Sequence, residues 1–224
     1  MRAARLCSAV LVALLFLVCT GTSSARSDDL TRVAIIGDSL TTGYGVPRGA
    51  GYADWLEART PGDNVLPVAV DGATALRWNL EYPQRLDQLR TWQPRTVLIA
   101  LGGNEYFIAR APADYAQHLR DLTNRVRSLA PTARIIYLHY YEIGIRDPAV
   151  CDIPGYCQPA SPPPSWFSYG VAMRGVAAGN YIDNAEERAW SGYLGPDRVH
   201  LTAYGHWLFA QSVTKLVLGC CAAT

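Results

Sequence analysis

Three apolar runs limit what this chain can fold into. Residues 33–36 read Val-Ala-Ile-Ile, residues 96–101 read Thr-Val-Leu-Ile-Ala-Leu, and residues 134–140 carry Ile-Ile-Tyr-Leu at their centre. None alternates with polar residues. A strand made from any of them must bury both faces, as a parallel sheet covered by helices does. Helical signals lie between and beyond them. Tyr115, Leu119, Leu122, Val126 and Leu129 recur at steps of four and three, one face of an amphipathic helix stopped by Pro131. Pro83 opens another helix at its permitted first turn, and Pro94 follows its end.

The remaining elements fit the same alternation. The first strand is expected over 31–36, a short helix over 52–59 and a second strand over 64–70. A helix over 165–178, a short strand at Tyr181-Ile-Asp183 and a last helix from the Thr202 cap to about residue 218 complete the set. Strands and helices in this order imply parallel strands with right-handed crossovers, a three-layer α/β/α sandwich of about five strands. Neither an internal repeat nor a second domain is evident. The long insert over 141–164, with Pro162-Pro-Pro164 and two cysteines, has the length of a functional or stapled loop.

The first 25 residues read as a signal for export. Arg2 and Arg5 precede an apolar stretch over 6–18, and Ser23-Ser-Ala25 supplies the small residues of a cleavage site. The apolar stretch is too short for a membrane span. Cys19 is not expected to carry a lipid, because Val18 precedes it where a small residue is wanted. Residues 26–224 then form a single catalytic domain, and a monomer with no membrane span is expected. Losing Arg2 and Arg5 shifts the formal charge from +1 to −1, and no basic run suggests a nucleic-acid partner. Cys151, Cys157, Cys220 and Cys221 remain, and in an exported chain they are expected to be bridged. Sequence leaves their three pairings open, with Cys151 to Cys157 the first choice. No cysteine or histidine spacing suits a metal, and no cofactor is expected.

Four stretches carry the chemistry, each at a strand end or just before a helix. Gly37-Asp38-Ser39-Leu40 follows the first strand, at the sheet edge where open α/β proteins bind ligands. A serine hydroxyl there is a weak nucleophile until a base takes its proton. Gly72, after the second strand, lets the backbone approach a ligand closely. Gly102-Gly103-Asn104, after the third, adds a side-chain amide donor suited to a developing oxyanion. Asp197-Arg198-Val199-His200 places a carboxylate three residues before a loop histidine, close enough to fold back and orient the imidazole. Of the other histidines, His139 and His206 read as structural and His118 as lying on the exposed side of a helix.

Together and in this order, these stretches resemble the blocks of the SGNH (GDSL-type) hydrolase family. The likeness spans nearly the whole chain from Val33 to the last helix. It implies a flavodoxin-like sheet of order 2-1-3-4-5 and esterase or lipase chemistry without a cofactor. It further implies Ser39 as nucleophile, His200 as base, Asp197 as its orienter, and the Ser39 amide, Gly72 amide and Asn104 side chain as the oxyanion hole. Two departures stand out: Glu105 follows Asn104 where the family usually has aspartate, and the second block lacks its neighbouring asparagine. Tyr106 and Phe107, next in line, are candidate substrate contacts for a small-molecule, glycan or lipid ester. Two other functions use the same residues differently. One is an acyltransferase to a sugar or lipid hydroxyl; the other is a non-catalytic secreted carbohydrate- or lipid-binding protein.

Overall fold

The computed structural model describes residues 32–60, 62, 64–143, 147–156, 160–161, 163–183 and 190–217. Five strands form one sheet: β1 (Val33–Gly37), β2 (Val65–Ala69), β3 (Thr96–Ala100), β4 (Arg134–His139) and β5 (Tyr181–Asp183). Their order is β2-β1-β3-β4-β5, and every neighbouring pair is parallel. This is the order and the α/β/α class that the family resemblance implied. β1, between β2 and β3, is buried at all five positions, as is β3.

The two faces of each strand feed two separate cores. Val33, Ile35, Leu98, Ala100, Ile136 and Leu138 face one layer, and they pack with Leu56 of α2 (Tyr52–Glu57) and with Phe209 and Val213 of α8 (Ala203–Val217). Ala34, Ile36, Val97, Ile99, Ile135 and Tyr137 face the other. There they meet Leu119, Leu122 and Val126 of α6 (Pro112–Leu129) and Met173 of α7 (Trp166–Ala177). Each large aliphatic side chain fully withdrawn from water here contributes roughly 1.5–3 kcal/mol. The double burial is why these strands read as continuous apolar runs.

Element boundaries differ from expectation in places. The segment opened by Pro83 is a 3-10 turn, Pro83–Asp87, running into the short α4 (Gln88–Trp92). Three helices were not anticipated: α1 (Ser39–Thr42), α3 (Ala75–Leu80) and α5 (Gly103–Phe107). All three begin at strand-end loops that carry the candidate site residues. No helix among the described residues is long and apolar enough to cross a membrane. The first 25 residues, read above as an export signal, and Cys157, Cys220 and Cys221 lie outside the described residues, and Cys151 is exposed.

Candidate active site

β1 ends at Gly37 because nothing larger fits. A Cβ there would lie 2.0 Å from Thr41 Oγ1. The chain then turns into α1 (Ser39–Thr42), capped by Asp38, whose Oδ1 accepts from the Leu40 N–H at 3.0 Å. Gly43 closes this single turn in the left-handed conformation. Ser39 is thereby held, half-buried, at the carboxyl edge of the sheet.

His200 arrives from the other end of the chain. Its Nε2 lies 2.8 Å from Ser39 Oγ, and its Nδ1 lies 2.7 Å from Asp197 Oδ2. The intervening turn is bent sharply, with Arg198 left-handed at φ 60°. That conformation costs a non-glycine residue roughly 1–2 kcal/mol. The turn offsets it with hydrogen bonds: Asp197 Oδ1 accepts from both the Val199 and His200 N–H groups at 3.0 Å, and Gly195 N–H donates to His200 C=O at 2.7 Å. Burial works to raise the Asp197 pKa, but the bonds from His200 and the two amides together hold it below the usual carboxylate value. The acid is therefore ionised at neutral pH and favours a protonated Nδ1, which leaves Nε2 as an acceptor toward Ser39. The Tyr44 ring lies 4.6 Å from the imidazole, tilted by 42°.

Asn104 and the Gly72 loop face the same space. Gly72 is left-handed at φ 70°, so a side chain there would be strained. Thr42 Oγ1 donates to Asp71 Oδ1 at 2.6 Å, which ties this loop to α1. Asn104 Nδ2 donates to Ala73 C=O at 3.0 Å and to Asp38 Oδ2 at 3.3 Å. Next to it, Glu105 is fully buried, and its Oε1 accepts from the Ala75 N–H at 2.6 Å. Two consecutive residues of α5 thus grip the 73–75 backbone. Burial raises the Glu105 pKa to about 7, opposed by the Ala75 bond. Burial likewise raises Asp38 to about 8, opposed by the Leu40 amide and reinforced by the Glu105 charge. Sequence marked both acids as parts of blocks but gave no sign of their shared burial.

Ser39, Gly72, Asn104, Phe107, Asp197 and His200 line one cleft of about 380 Å³. Of the two aromatics expected at the substrate, Phe107 lines it with Ile143 and Leu40. Tyr106 turns the other way: its ring meets Trp166 edge-on, and its OH donates to Glu142 Oε1 at 2.8 Å. His206 is buried, with Nδ1 accepting from the Tyr52 N–H at 3.2 Å. His139 is buried against Trp166. Among the described residues, no cluster of three metal-ligating side chains occurs.

Fold and geometry together describe an α/β/α sandwich with a serine, a histidine and a carboxylate in hydrogen-bonded series at its sheet edge. The model of the GDSL-like lipase/acylhydrolase family matches residues 35–208, and the chain belongs to that family. Thioesterase 1/protease 1/lysophospholipase L1 of Escherichia coli (strain K12) is 31% identical over 115 residues, which are 51% of this chain and 52% of that protein. The chain thus spans about half the length of the curated relatives it matches. The crystal structure of the psychrotrophic esterase EstA from Pseudoalteromonas sp. superimposes with a TM-score of 0.63 at 16% identity, covering 84% of this chain and 97% of EstA. The salicylyl-acyltransferase SsfX3 gives a TM-score of 0.61 at 19% identity, covering 84% of this chain and 54% of SsfX3. At such identities the likeness is one of fold.

Proposed function

We propose that this chain is an exported serine ester hydrolase of the esterase or lipase type. The observation that carries the reading is the unbroken series Asp197–His200–Ser39, with contacts of 2.7 and 2.8 Å, opening into the cleft that Asn104 and Gly72 also line. His200 Nε2 takes the Ser39 proton as Oγ attacks the ester carbonyl. The carbonyl oxygen, now negative, is held by the Ser39 and Gly72 amides and by Asn104, whose longer hydrogen bond, to Asp38, is the one given up. The C–O bond to the alcohol then breaks, and His200 returns the proton to the leaving oxygen. Water repeats the sequence on the acyl-enzyme and frees the acid. Nothing in these steps calls on a cofactor.

Export rests on the basic, apolar and small-residue order of the first 25 residues. A bridge from Cys151 fits that compartment. Mass spectrometry of the protein recovered outside the cells should give an N-terminus near Arg26 and a non-reduced Cys151.

The reading is tested with p-nitrophenyl esters from acetate to palmitate, using the chain and Ser39→Ala. Hydrolysis that vanishes in the variant supports it. An ester hydrolysed equally by both proteins, or by neither, overturns it. Product analysis with a competing alcohol separates hydrolysis from acyl transfer.

A further inference from the structure

We infer that a second cavity beside the catalytic cleft is a subsite for the sugar part of an acylated saccharide; this rests on the ester-hydrolase reading of Ser39. The cavity, of about 330 Å³, lies where β4 and β5 end and α7 begins, and His139, Glu142, Trp166, Phe167, Arg174 and Asp183 line it.

The two spaces share a wall built from adjacent residues of two segments. Phe107 and Ile143 face the catalytic cleft, Glu142 faces the second cavity, and Tyr106 ties the segments together through its bond to Glu142. Strand spacing sets the separation. β1 carries Ser39 beyond its end, and β4 lies two strands away in the sheet. At about 4.8 Å per strand, His139 is displaced by about 10 Å from the β1 line and Asp183 by about 14 Å. A sugar attached to the scissile oxygen at Ser39 spans such a distance within one or two units.

The lining chemistry selects the ligand. Asp183 is neutralised from several sides: Arg174 Nη1 at 2.9 Å and Tyr181 OH at 3.1 Å meet its Oδ2, and His139 Nδ1 lies 3.3 Å from Oδ1. Glu142 adds a carboxylate bonded by the neutral Tyr106 hydroxyl, so an anionic ligand is disfavoured and a neutral hydroxyl-bearing one fits. Donors and acceptors are mixed, which suits hydroxyl groups that do both. Glu142, Ser165, Arg174 and Asp183 offer hydrogen-bonding groups that an acyl chain cannot answer, so the lining disfavours fat and favours a polyol. At the mouth, Phe167 is 62% exposed with the Arg174 guanidinium 5.5 Å from its ring centre. That ring is a ready platform for the apolar face of a pyranose.

Two measurements test the subsite. First, Ser39→Ala is titrated calorimetrically with xylobiose and with cellobiose. Binding in the millimolar range is expected, weakened about tenfold or more by adding Phe167→Ala or Glu142→Gln. No heat from either disaccharide, or binding indifferent to both substitutions, overturns the subsite. Second, KM is compared for acetylated xylobiose and p-nitrophenyl acetate, which share an acyl group. Phe167→Ala should raise the first about tenfold more than the second. Equal changes overturn the inference while leaving the esterase reading intact. If the chain cleaves neither ester, the esterase reading fails, and the titration still decides whether the cavity binds sugar. Thermal melts confirm that each variant folds.

Discussion

Replacing Asp197 by asparagine changes one atom group and leaves the shape of the turn. In one orientation the amide keeps Oδ1 as acceptor for the Val199 and His200 N–H groups and turns its NH₂ toward His200 Nδ1. A donor there forces the imidazole into the other tautomer, with Nε2 protonated and facing Ser39, so the base is lost. In the flipped orientation the oxygen meets Nδ1, but the NH₂ then confronts two backbone donors. Losing two hydrogen bonds at about 1–2 kcal/mol each costs roughly 2–4 kcal/mol. By either route kcat/KM for p-nitrophenyl acetate should fall, by roughly 10²–10⁴-fold. Asp197→Ala should lose less. Asp197 is 46% exposed, so water can reach the vacated place and accept from Nδ1–H. The order wild type, alanine, asparagine is the signature of tautomer control. Steady-state kinetics with stopped-flow acylation of Ser39 reads it out, and thermal melts exclude unfolding. Asparagine activity above about a tenth of wild type would refute Asp197 as the orienter.

Further outcomes are expected of the buried titratable groups. Asp38, raised to about 8 by burial, is neutral at pH 7 and becomes an anion next to the developing oxyanion above that value; kcat/KM should decline above about pH 8, and Asp38→Asn, which keeps the Leu40 acceptor, should flatten that limb. His206 has its pKa lowered by burial to about 4, so its neutral form contributes stability that is complete above 6.5 and lost as pH falls through 4. Over that window urea unfolding of the native chain should lose about 2–3 kcal/mol relative to His206→Gln, against the opposite slopes of Asp38 and Glu105, whose raised pKa values favour the folded state as pH falls. The buried Arg110–Asp152 ion pair also takes a 2.8 Å bond from Thr74 Oγ1. Asp152→Ala should therefore cost about 3–5 kcal/mol in urea unfolding, and the double replacement Arg110→Met, Asp152→Leu should recover most of it.

The strands were legible because burial on both faces writes continuous apolar runs, and α6 because eighteen residues give a helical period room to repeat. α3 and α5, of six and five residues, are too short for that signal. Their existence depends on tertiary bonds, such as Glu105 to Ala75 N–H, that no local pattern encodes. Asp197 and His200 were legible through spacing, since a three-residue turn brings the two side chains within reach. Tyr106 shows the opposite limit. On a one-turn helix, adjacent aromatics point apart, and only the neighbours decide which one meets the cleft: Ile143 beside Phe107, Trp166 beside Tyr106.

The left-handed residue between Asp197 and His200 makes the acid and the base one rigid cartridge, wired through its own backbone. Ser39 sits 161 positions before His200, and one 2.8 Å hydrogen bond links its hydroxyl to that pair. A chain whose last segment is unlatched would keep a competent proton-handling pair and a correctly capped serine, yet be silent. Labelling of Ser39 by an electrophile is then a clock for closure of the C-terminal segment, whatever the natural substrate is.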